Sequence, residues 1–286
     1  MTVRVVTDST ADLSPDVVAE LGITVIPLLV LFGNEALRDE IDITTEQFFQ
    51  RLVSSRVHPS TSQPPVGAFQ EVYEKLAKET DAIVSIHIGA KMSGTVAAAI
   101  VARDSLKTKT PCRIEVVDGC GVTLGLGFAV IAAAKVAKAG GSVEAVVAAA
   151  NSVAGRQHTI VLLDTLEYAR RGGRISRVEA VLGNLLKIKA IITIQDVARP
   201  LSRARTRAGG LKRLFELAMS YPEIVDVGVV YGTTPEDAEM LAGWTRSHRP
   251  GVPVYVGPLG PALGVHAGPG IMAMIVVEGE KTEARA

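Results

Sequence analysis

The sequence predicts an α/β protein of two packed α/β domains: an N-terminal domain with a mostly parallel sheet and helices on both faces, and a C-terminal domain with a mixed sheet and helices. Apolar residues make up 48% of the 286-residue chain and aromatic residues only 4%, so Val, Ile, Leu and Ala must build the interior. Short β-branched segments alternate with helical patterns in the first half, which favours a parallel sheet with covered faces. The spacing becomes less regular near residue 157, so we expect domains at residues 1–156 and 157–286.

The first elements are marked by capping and turn residues. Val3–Val6 has the pattern of a buried strand. Ser14 and Pro15 then begin a helix, because a proline at the first helical position loses no hydrogen bond, and Gly22 ends it. Ile23–Phe32 is predicted as one further strand.

The rest of the N-terminal half alternates regularly between helices and strands. Thr44 and Gln47 have the spacing of a capping box, which predicts the start of a helix. A proline-rich turn at residues 60–65 precedes the next helix. The elements that follow are a helix to about Lys78, strand Ala82–Ile88, helix Ser93–Leu106, strand Arg113–Val117, helix Leu124–Lys138 and an alanine-rich helix to about Val153.

The C-terminal half mixes strands and helices with less regular spacing. Because neither a repeat nor a low-complexity linker separates it from the first half, we expect the two domains to pack closely and to hold a ligand site at their seam. The predicted strands are Thr159–Leu163, Lys187–Ile194, Val225–Val230, Val252–Val256 and Gly270–Val277, and the predicted helices lie near Leu166–Arg171, Leu211–Ser220 and Thr234–Ser247.

The charge balance of the chain hides a strongly basic segment. Thirty Lys and Arg residues match 30 Asp and Glu residues, which argues against nucleic-acid binding and against more than transient contact with an anionic membrane. Between Arg170 and Arg213, however, twelve basic residues face only Glu179 and Asp196, so this segment carries +10 and the rest of the chain −10. It is interpreted as a solvated face, as a docking surface for an acidic protein or, least favoured, as a nucleic-acid surface.

Three arginines in this segment alternate along the chain. Arg203, Arg205 and Arg207 are two residues apart, and in a strand this spacing places all three guanidinium groups on one side. Such an arrangement is typical of a surface that a partner protein recognises.

Several classes of function are excluded by missing signals. Cys112 and Cys120 have no Cys or His neighbours at metal-ligand spacing, so we expect neither a zinc site nor a disulfide framework. No apolar run approaches the roughly 18 residues of a membrane span, and Asp8 interrupts the N-terminus before a signal peptide could develop. We therefore expect a soluble cytoplasmic protein without a metal.

The usual nucleotide-binding motifs are also missing from the sequence. Gly125–Val130 begins like a dinucleotide fingerprint, but Val130 stands where the third glycine belongs, and no phosphate loop ending in Gly-Lys-Ser/Thr occurs. We therefore expect no NAD or ATP cofactor. Ser93 and Gly94 resemble a nucleophile elbow only in part, and a hydrolase that uses Ser93 and His266 stays open as an alternative.

Small hydroxylated residues and one histidine lie in four predicted loops: Thr7–Thr10, Thr61 with its neighbour, Ser93–Thr95, and His266 in a glycine-rich loop. Loops at the carboxyl ends of parallel strands share one edge of the sheet, where ligands bind. Hydroxyls together with the N–H groups at a helix start suit an anion. Taken singly, the same residues are explained as well by a helix cap, a turn residue and a packed loop histidine.

The combination of these motifs is similar to that of a known family. Any one motif is a weak signal, but eight in order over nearly the full length are specific. The matching segments are Val6–Leu13, Arg38-Asp39 with Asp42–Thr44, Ser60–Pro64, Ser93–Thr95, Gly125–Gly127, Leu166–Tyr168 with Gly172–Ile175, Leu186–Lys189 and His266–Gly270. On these residues the chain resembles the DegV family, the fatty-acid-binding subunits of bacterial fatty acid kinase.

The resemblance implies two α/β domains with a long-chain fatty acid buried between them. The family's Thr-Ser-Gln-Pro, Ser-Gly-Thr and His-x-Gly-Pro-Gly motifs match Thr61, Ser93 and His266, which are implied to hold the fatty-acid carboxylate. The residues implied as secondary contacts or as the mouth of the site are Ser62, Gly94, Thr95 and Arg170.

The resemblance also implies a division of labour between two proteins. The chain is implied to be non-catalytic and to present the fatty acid to a separate ATP-dependent kinase subunit, which converts the carboxylate to an acyl phosphate. A serine-hydrolase-like acyl esterase and a lipid-sensing regulatory protein stay open as alternatives. The chain departs from the usual family pattern at residues 87–90, 118–123 and 195–199.

Overall fold

Four strands form a parallel sheet in the N-terminal half of the chain. The computed structural model describes residues 2–173, 188–195 and 197–280. The strands of this sheet are β1 (Val3–Asp8), β2 (Thr24–Ile26), β6 (Ala82–His87) and β7 (Arg113–Asp118). Hydrogen bonds join them in the order β2–β1–β6–β7, and every pair of neighbours is parallel.

Helices cover both faces of this sheet, and as a result every residue of β6 is buried. They are α1 (Pro15–Leu21), α3 (Val66–Leu76), α4 (Thr95–Leu106), α5 (Thr123–Lys138) and α6 (Val143–Arg156). Because successive strand residues point to opposite faces, Ile83 packs with Phe69 of α3, whereas Val84 packs with Val130 of α5.

A second, antiparallel sheet of three strands belongs to the same half. It consists of β3 (Leu29–Phe32), β4 (Glu35–Arg38) and β5 (Ser60–Ser62), with β3 in the centre. The prediction of one strand over residues 23–32 is therefore wrong: this segment is divided between two sheets at Pro27, which has no N–H group for strand pairing. Helix α2 (Thr45–Ser54) begins at the predicted capping box, where Thr44 and Gln47 cap each other's backbone.

Six strands form a mixed sheet in the C-terminal half. They are β8 (Gln157–Leu163), β9 (Lys189–Ile194), β10 (Ala198–Ala204), β11 (Ile224–Tyr231), β12 (Val254–Pro258) and β13 (Met272–Glu278). The order is β10–β9–β8–β13–β11–β12; β11 and β12 are parallel, whereas the other neighbours are antiparallel. Because β8 begins directly where α6 ends, we retain 156/157 as the proposed domain boundary.

The two domains pack against each other through α5. Helices α8 (Arg207–Ala218) and α9 (Pro235–His248) cover one face of the mixed sheet. The opposite face meets α5, since Phe128 and Ile131 share a buried cluster with Val161 and Ile275. A parallel N-terminal sheet and a mixed C-terminal sheet, each with helices, confirm the predicted fold class. No helix within the described ranges is long and apolar enough to cross a membrane.

The structure corrects the expected surroundings of His266. Instead of a loop, the residue lies in the last turn of a short helix, α10 (Pro261–Ala267). Pro261 occupies the first helical position, and Gly268 ends the helix with a φ of 77°. The glycines of this segment lower its helix propensity, which is why the sequence pattern indicated a loop.

The structure also corrects the predicted basic face. Strand β10 ends at Ala204, so Arg203 lies on the strand and is exposed, but Arg207 is the first residue of α8. The Arg207 guanidinium turns inward, 3.1 Å from Asp164 Oδ1 and 2.9 Å from Asp237 Oδ2. The three alternating arginines therefore do not share one face.

Parts of the basic segment and of the matching motifs lie outside the described residues: Arg174, Ile175, Arg177, Glu179, Leu186, Lys187 and Asp196.

Candidate functional site

A cavity of about 220 Å³ lies between the two domains. Its wall is mainly apolar, and none of the described residues that line it is an Asp, Glu, Lys or Arg. Such a wall suits an elongated apolar molecule. The apolar lining residues are Leu28, Ile88, Met92, Val122, Val161, Leu163, Ala169, Ile192, Ile194, Ala198, Leu259, Ala262, Leu263, Ala267, Ile271 and Ala273.

A hydrogen bond between the domains forms part of the polar lining. Thr61 Oγ1 lies 2.9 Å from His266 Nε2, although 205 residues separate them in the chain. Thr61 is in β5 of the N-terminal domain, and His266 is in the helix α10 of the C-terminal domain. One of the two groups donates in this bond and the other accepts. A carboxylate that replaces the bond would accept from both the hydroxyl and the imidazole N–H.

Two glycines allow the helix that carries His266 to approach α7 (Glu167–Arg171) closely. A Cβ at Gly172 would collide with His266 Nδ1, and a Cβ at Gly268 would collide with the ring of Tyr168. Side chains at these two positions would push α10 away from α7 and displace the imidazole from Thr61. The glycines of the matching motifs therefore have a packing role beside the site.

Ser93 reaches the cavity from the residues that precede α4. Its hydroxyl hydrogen-bonds to Thr95 Oγ1 at 2.8 Å and also accepts the Thr95 N–H at 3.3 Å. Thr95 is fully buried and lies behind Ser93, so it orients the serine without lining the cavity. Gly94 is part of the wall, and the amide of Gln63 occupies the space that a side chain at Gly94 would need.

The structure brings most of the residues expected at the site to one cavity. Thr61, Ser93 and His266 line it, as do Ser62 and Gly94. Their roles toward a ligand stay predictions.

Arg170 is placed differently. It is exposed on α7, pairs with Glu167 at 2.9 Å and does not line the described cavity wall. A role for it at the mouth of the site is therefore a proposal.

Three polar lining residues had no role assigned from the sequence: Thr10, which lies in one of the four predicted loops, Gln63 and Thr123. Thr10 and Gln63 belong to segments that match the family, so the signal was present in the sequence without a role attached to it. Thr123 begins α5 with a φ of 48° and lies at the end of the segment 118–123 that departs from the family pattern. No local pattern indicates that these three side chains face the same space.

Behind the cavity, Asp8, His87 and Ser85 form a fully buried line with the distances of a catalytic triad. Asp8 Oδ2 lies 3.0 Å from His87 Nδ1, and His87 Nε2 lies 2.7 Å from Ser85 Oγ. The Tyr73 hydroxyl donates to Ser85 at 2.8 Å, and burial raises the pKa of Tyr73. Because Ser85 does not line the cavity, this network is structural; the Thr10 hydroxyl, 2.5 Å from Asp8 Oδ1, connects it to the cavity wall.

Metal-binding side chains are scattered in the part of the chain that the structure describes. Over these residues no group of three or more His, Cys, Asp or Glu side chains is close enough to hold an ion. Neither Cys112 nor Cys120 is part of a disulfide. The chemistry of the described site is therefore that of hydroxyls, an amide and an imidazole around an apolar cavity.

Comparisons with known proteins identify the family. Residues 2–279 match a family model described as an uncharacterised protein, DegV family. A DegV domain-containing protein of Streptomyces coelicolor is 36% identical over 279 residues, which cover 96% of this chain and 98% of that protein. The chain belongs to the DegV family.

Two solved DegV structures have the same fold along nearly the whole chain. A DegV family protein from Thermus thermophilus, which binds fatty acid, has a TM-score of 0.87 at 31% identity and covers 98% of this chain and 100% of its own. DegV of Bacillus subtilis, a fatty acid binding protein, has a TM-score of 0.87 at 30% identity with the same coverage. Two relatives with the DegV fold thus bind fatty acids.

Proposed function

We propose that this DegV protein binds a long-chain fatty acid in the cavity between its domains. The observation that carries the proposal is the Thr61–His266 hydrogen bond in the wall of a cavity whose described lining is mainly apolar and uncharged. An apolar tail with one terminal carboxylate matches this lining. The two fatty-acid-binding relatives of the same fold support the proposal.

The tail and the head of such a ligand contribute differently. Transfer of a methylene group from water is worth about 0.8 kcal/mol, so some 14 methylenes contribute on the order of 11 kcal/mol before ordering costs. A hydrogen bond to a charged carboxylate adds roughly 1.5–3 kcal/mol. We therefore assign most of the affinity to the apolar wall and the orientation of the ligand to Thr61, Ser93 and His266, with Ser62 and Gly94 as secondary contacts.

The bound carboxylate is proposed to be the substrate of a partner protein. A separate ATP-dependent kinase transfers the γ-phosphoryl group of ATP to a carboxylate oxygen, which gives an acyl phosphate and ADP. This chain supplies binding and orientation, and His266 donates to the carboxylate or offsets the charge of the acyl phosphate. The exposed Arg170 assists at the mouth, and the exposed Arg203 and Arg205 contact the kinase.

The contacts of Ser93 disfavour the alternative of a serine hydrolase. Ser93 Oγ is bonded to Thr95, whereas His266 Nε2 is bonded to Thr61, so the serine and the histidine are not arranged as nucleophile and base. A lipid-sensing regulatory protein would bind fatty acid equally well but would not support its phosphorylation.

Organic extraction of the purified protein, followed by mass spectrometry, tests the proposed ligand directly. We expect a long-chain fatty acid in the extract, and we expect added fatty acid to raise the melting temperature of stripped protein. An extract without lipid, together with an unchanged melting temperature, would overturn the proposal. A second assay adds kinase and ATP and traps any acyl phosphate with hydroxylamine. Formation of acyl phosphate supports a presenting subunit, whereas its absence supports a regulatory lipid sensor.

A further inference from the structure

Two carboxylates of the N-terminal domain hold the first turn of α10, the helix that carries His266. Asp12 Oδ1 accepts the N–H of Gly260 at 3.1 Å, and Asp39 Oδ1 accepts the N–H of Ala262 at 3.3 Å. Gly260 and Ala262 belong to the C-terminal domain. Both bonds therefore cross from one domain to the other, as the bond between Thr61 and His266 does.

The Asp39 carboxylate is held in place before it meets the helix. Asp39 is only 2% exposed, and its Oδ2 accepts the hydroxyl of Ser9 at 2.6 Å. Ser9 is itself oriented, because its oxygen accepts the N–H of Leu28 at 3.0 Å. The backbone N–H of Asp39 donates to the carbonyl of the same leucine at 2.9 Å. Contacts within the N-terminal domain thus orient the Asp39 carboxylate, which accepts the N–H of Ala262.

Helix α10 is joined to the N-terminal domain at both ends. Its first turn is bonded to Asp12 and Asp39, and its last turn presents His266 to Thr61. Between these ends, Gly264 packs against Phe48, where a side chain at the glycine would collide with the phenyl ring. A displacement of the first turn therefore moves the imidazole relative to the cavity wall.

We propose that Asp12 and Asp39 are positioning residues, which hold α10 against the N-terminal domain and thereby place His266 opposite Thr61. The consequence for fatty-acid binding rests on the proposed function. The placement of the helix rests on the hydrogen bonds of Asp12 and Asp39 themselves.

The electrostatics of the pair support a role beyond stability. Burial raises the pKa of Asp39 to about 7 and raises the pKa of Asp12 well above its usual range. Neighbouring acidic groups raise these pKa values further: Glu40 and Asp8 act on Asp39, and Asp39 and Glu40 act on Asp12. Neither carboxylate forms an ion pair with any described residue. Carboxylates with raised pKa values cluster at functional sites and also occur in structural networks, so the hydrogen bonds to α10 are what assign the role here.

Amide hydrogen exchange over residues 260–267 in stripped protein tests the placement of the helix. We expect Asp39→Ala to speed exchange in this segment roughly tenfold or more, because the Ala262 N–H loses its acceptor. Asp39→Asn keeps an acceptor oxygen and should restore slow exchange. Ser9→Ala, a milder change that leaves both carboxylates in place, should loosen the segment less. Wild-type exchange rates in Asp39→Ala would overturn the proposal.

Oleate affinity of the same variants tests the consequence for the cavity. We expect Asp39→Ala to weaken oleate binding roughly tenfold and Asp39→Asn to recover most of it. Thr61→Val is the matched control, since it should weaken binding without faster exchange at the first turn of α10. Unchanged affinity in Asp39→Ala would contradict the positioning role. If wild-type protein binds no oleate while Asp39→Ala still loosens α10, the proposed ligand is wrong and the placement of the helix stands.

Discussion

Thr61 Oγ1 and His266 Nε2 form a 2.9 Å hydrogen bond across the boundary between the two domains. Neither residue is in the loop that its sequence indicated, since Thr61 is in a strand and His266 is in a helix. Their meeting makes the proposed head-group site a property of the domain interface. Changes that affect the interface are therefore expected to affect ligand binding.

Replacement of Thr61 by valine tests the head-group contact with little change of shape. Valine lacks the hydroxyl, so the carboxylate would lose one hydrogen bond, worth roughly 1.5–3 kcal/mol. We expect fatty acid to bind at least about tenfold more weakly in isothermal titration calorimetry. Thr108→Val, at an exposed threonine outside the cavity, is the control and should bind like wild type. Equal affinities of the two variants would remove Thr61 from the site.

Replacement of Ser93 by alanine separates orientation from nucleophilic catalysis. If Ser93 orients the carboxylate, Ser93→Ala should reduce kinase-dependent acyl phosphate formation while a fluorophosphonate fails to label the wild-type serine. Ser105→Ala, on helix α4 that follows Ser93 and outside the cavity, serves as the control. Stable phosphonate labelling at Ser93 would instead support the hydrolase.

Charge reversal at the end of the edge strand β10 and just after it tests the proposed kinase contact. Arg203 and Arg205 are exposed and form no ion pair with a described residue, so Arg203→Glu with Arg205→Glu should raise the KM of the kinase for loaded protein and make it depend on salt. Fatty-acid affinity should stay at the wild-type value. Lys109→Glu, an exposed change in the N-terminal domain, is the control. If the kinase has the same KM for the double variant as for wild type, these arginines belong to a solvated surface that does not contact the kinase.

Arg207 should behave differently from its two neighbours in sequence. Its guanidinium joins Asp164, Asp237 and the carbonyl of Gly270. Arg207→Ala therefore leaves Asp237 without this ion pair and leaves Asp164 paired with Lys189 alone. We expect the free energy of unfolding in urea to fall by about 2–4 kcal/mol, whereas Arg203→Ala should change it by less than about 0.5 kcal/mol. Similar values for both variants would show that the inward contacts of Arg207 contribute little.

The raised pKa of Asp39 predicts a pH-dependent effect on stability. Asp39 keeps its proton to about pH 7 in the folded protein but loses it near pH 4 when unfolded, so its contribution to the free energy of unfolding falls as the pH rises through this window. Asp39→Asn does not ionise. Its stability relative to wild type should therefore increase by about 2–3 kcal/mol between pH 5 and pH 8, measured by urea unfolding. A pH-independent difference would mean that the carboxyl titrates in its ordinary range.

Local sequence signals predicted much of the fold because they act over a few residues. Pro15 and Gly22 bound the first helix, and the capping box at Thr44 begins the second, as expected. The strand expected over residues 23–32 was wrong because the choice between one sheet and two depends on what each half of the segment can pair with. Pro27 was visible in the sequence, but the partner strands were not.

The sequence by itself determined the alternation of strands and helices over much of the chain, the apolar character of the interior and the set of hydroxyl and histidine segments that match the DegV family. Only the tertiary structure decided that Thr61 meets His266, that Arg207 turns inward and that Asp39 accepts a hydrogen bond from the first turn of α10. The physical reason is distance along the chain. Helix capping and strand alternation arise between close neighbours, whereas these contacts join segments 43 to 223 residues apart. The Arg207 contact needs the C-terminal domain to fold, and the contacts of Thr61 and Asp39 also need the two domains to pack.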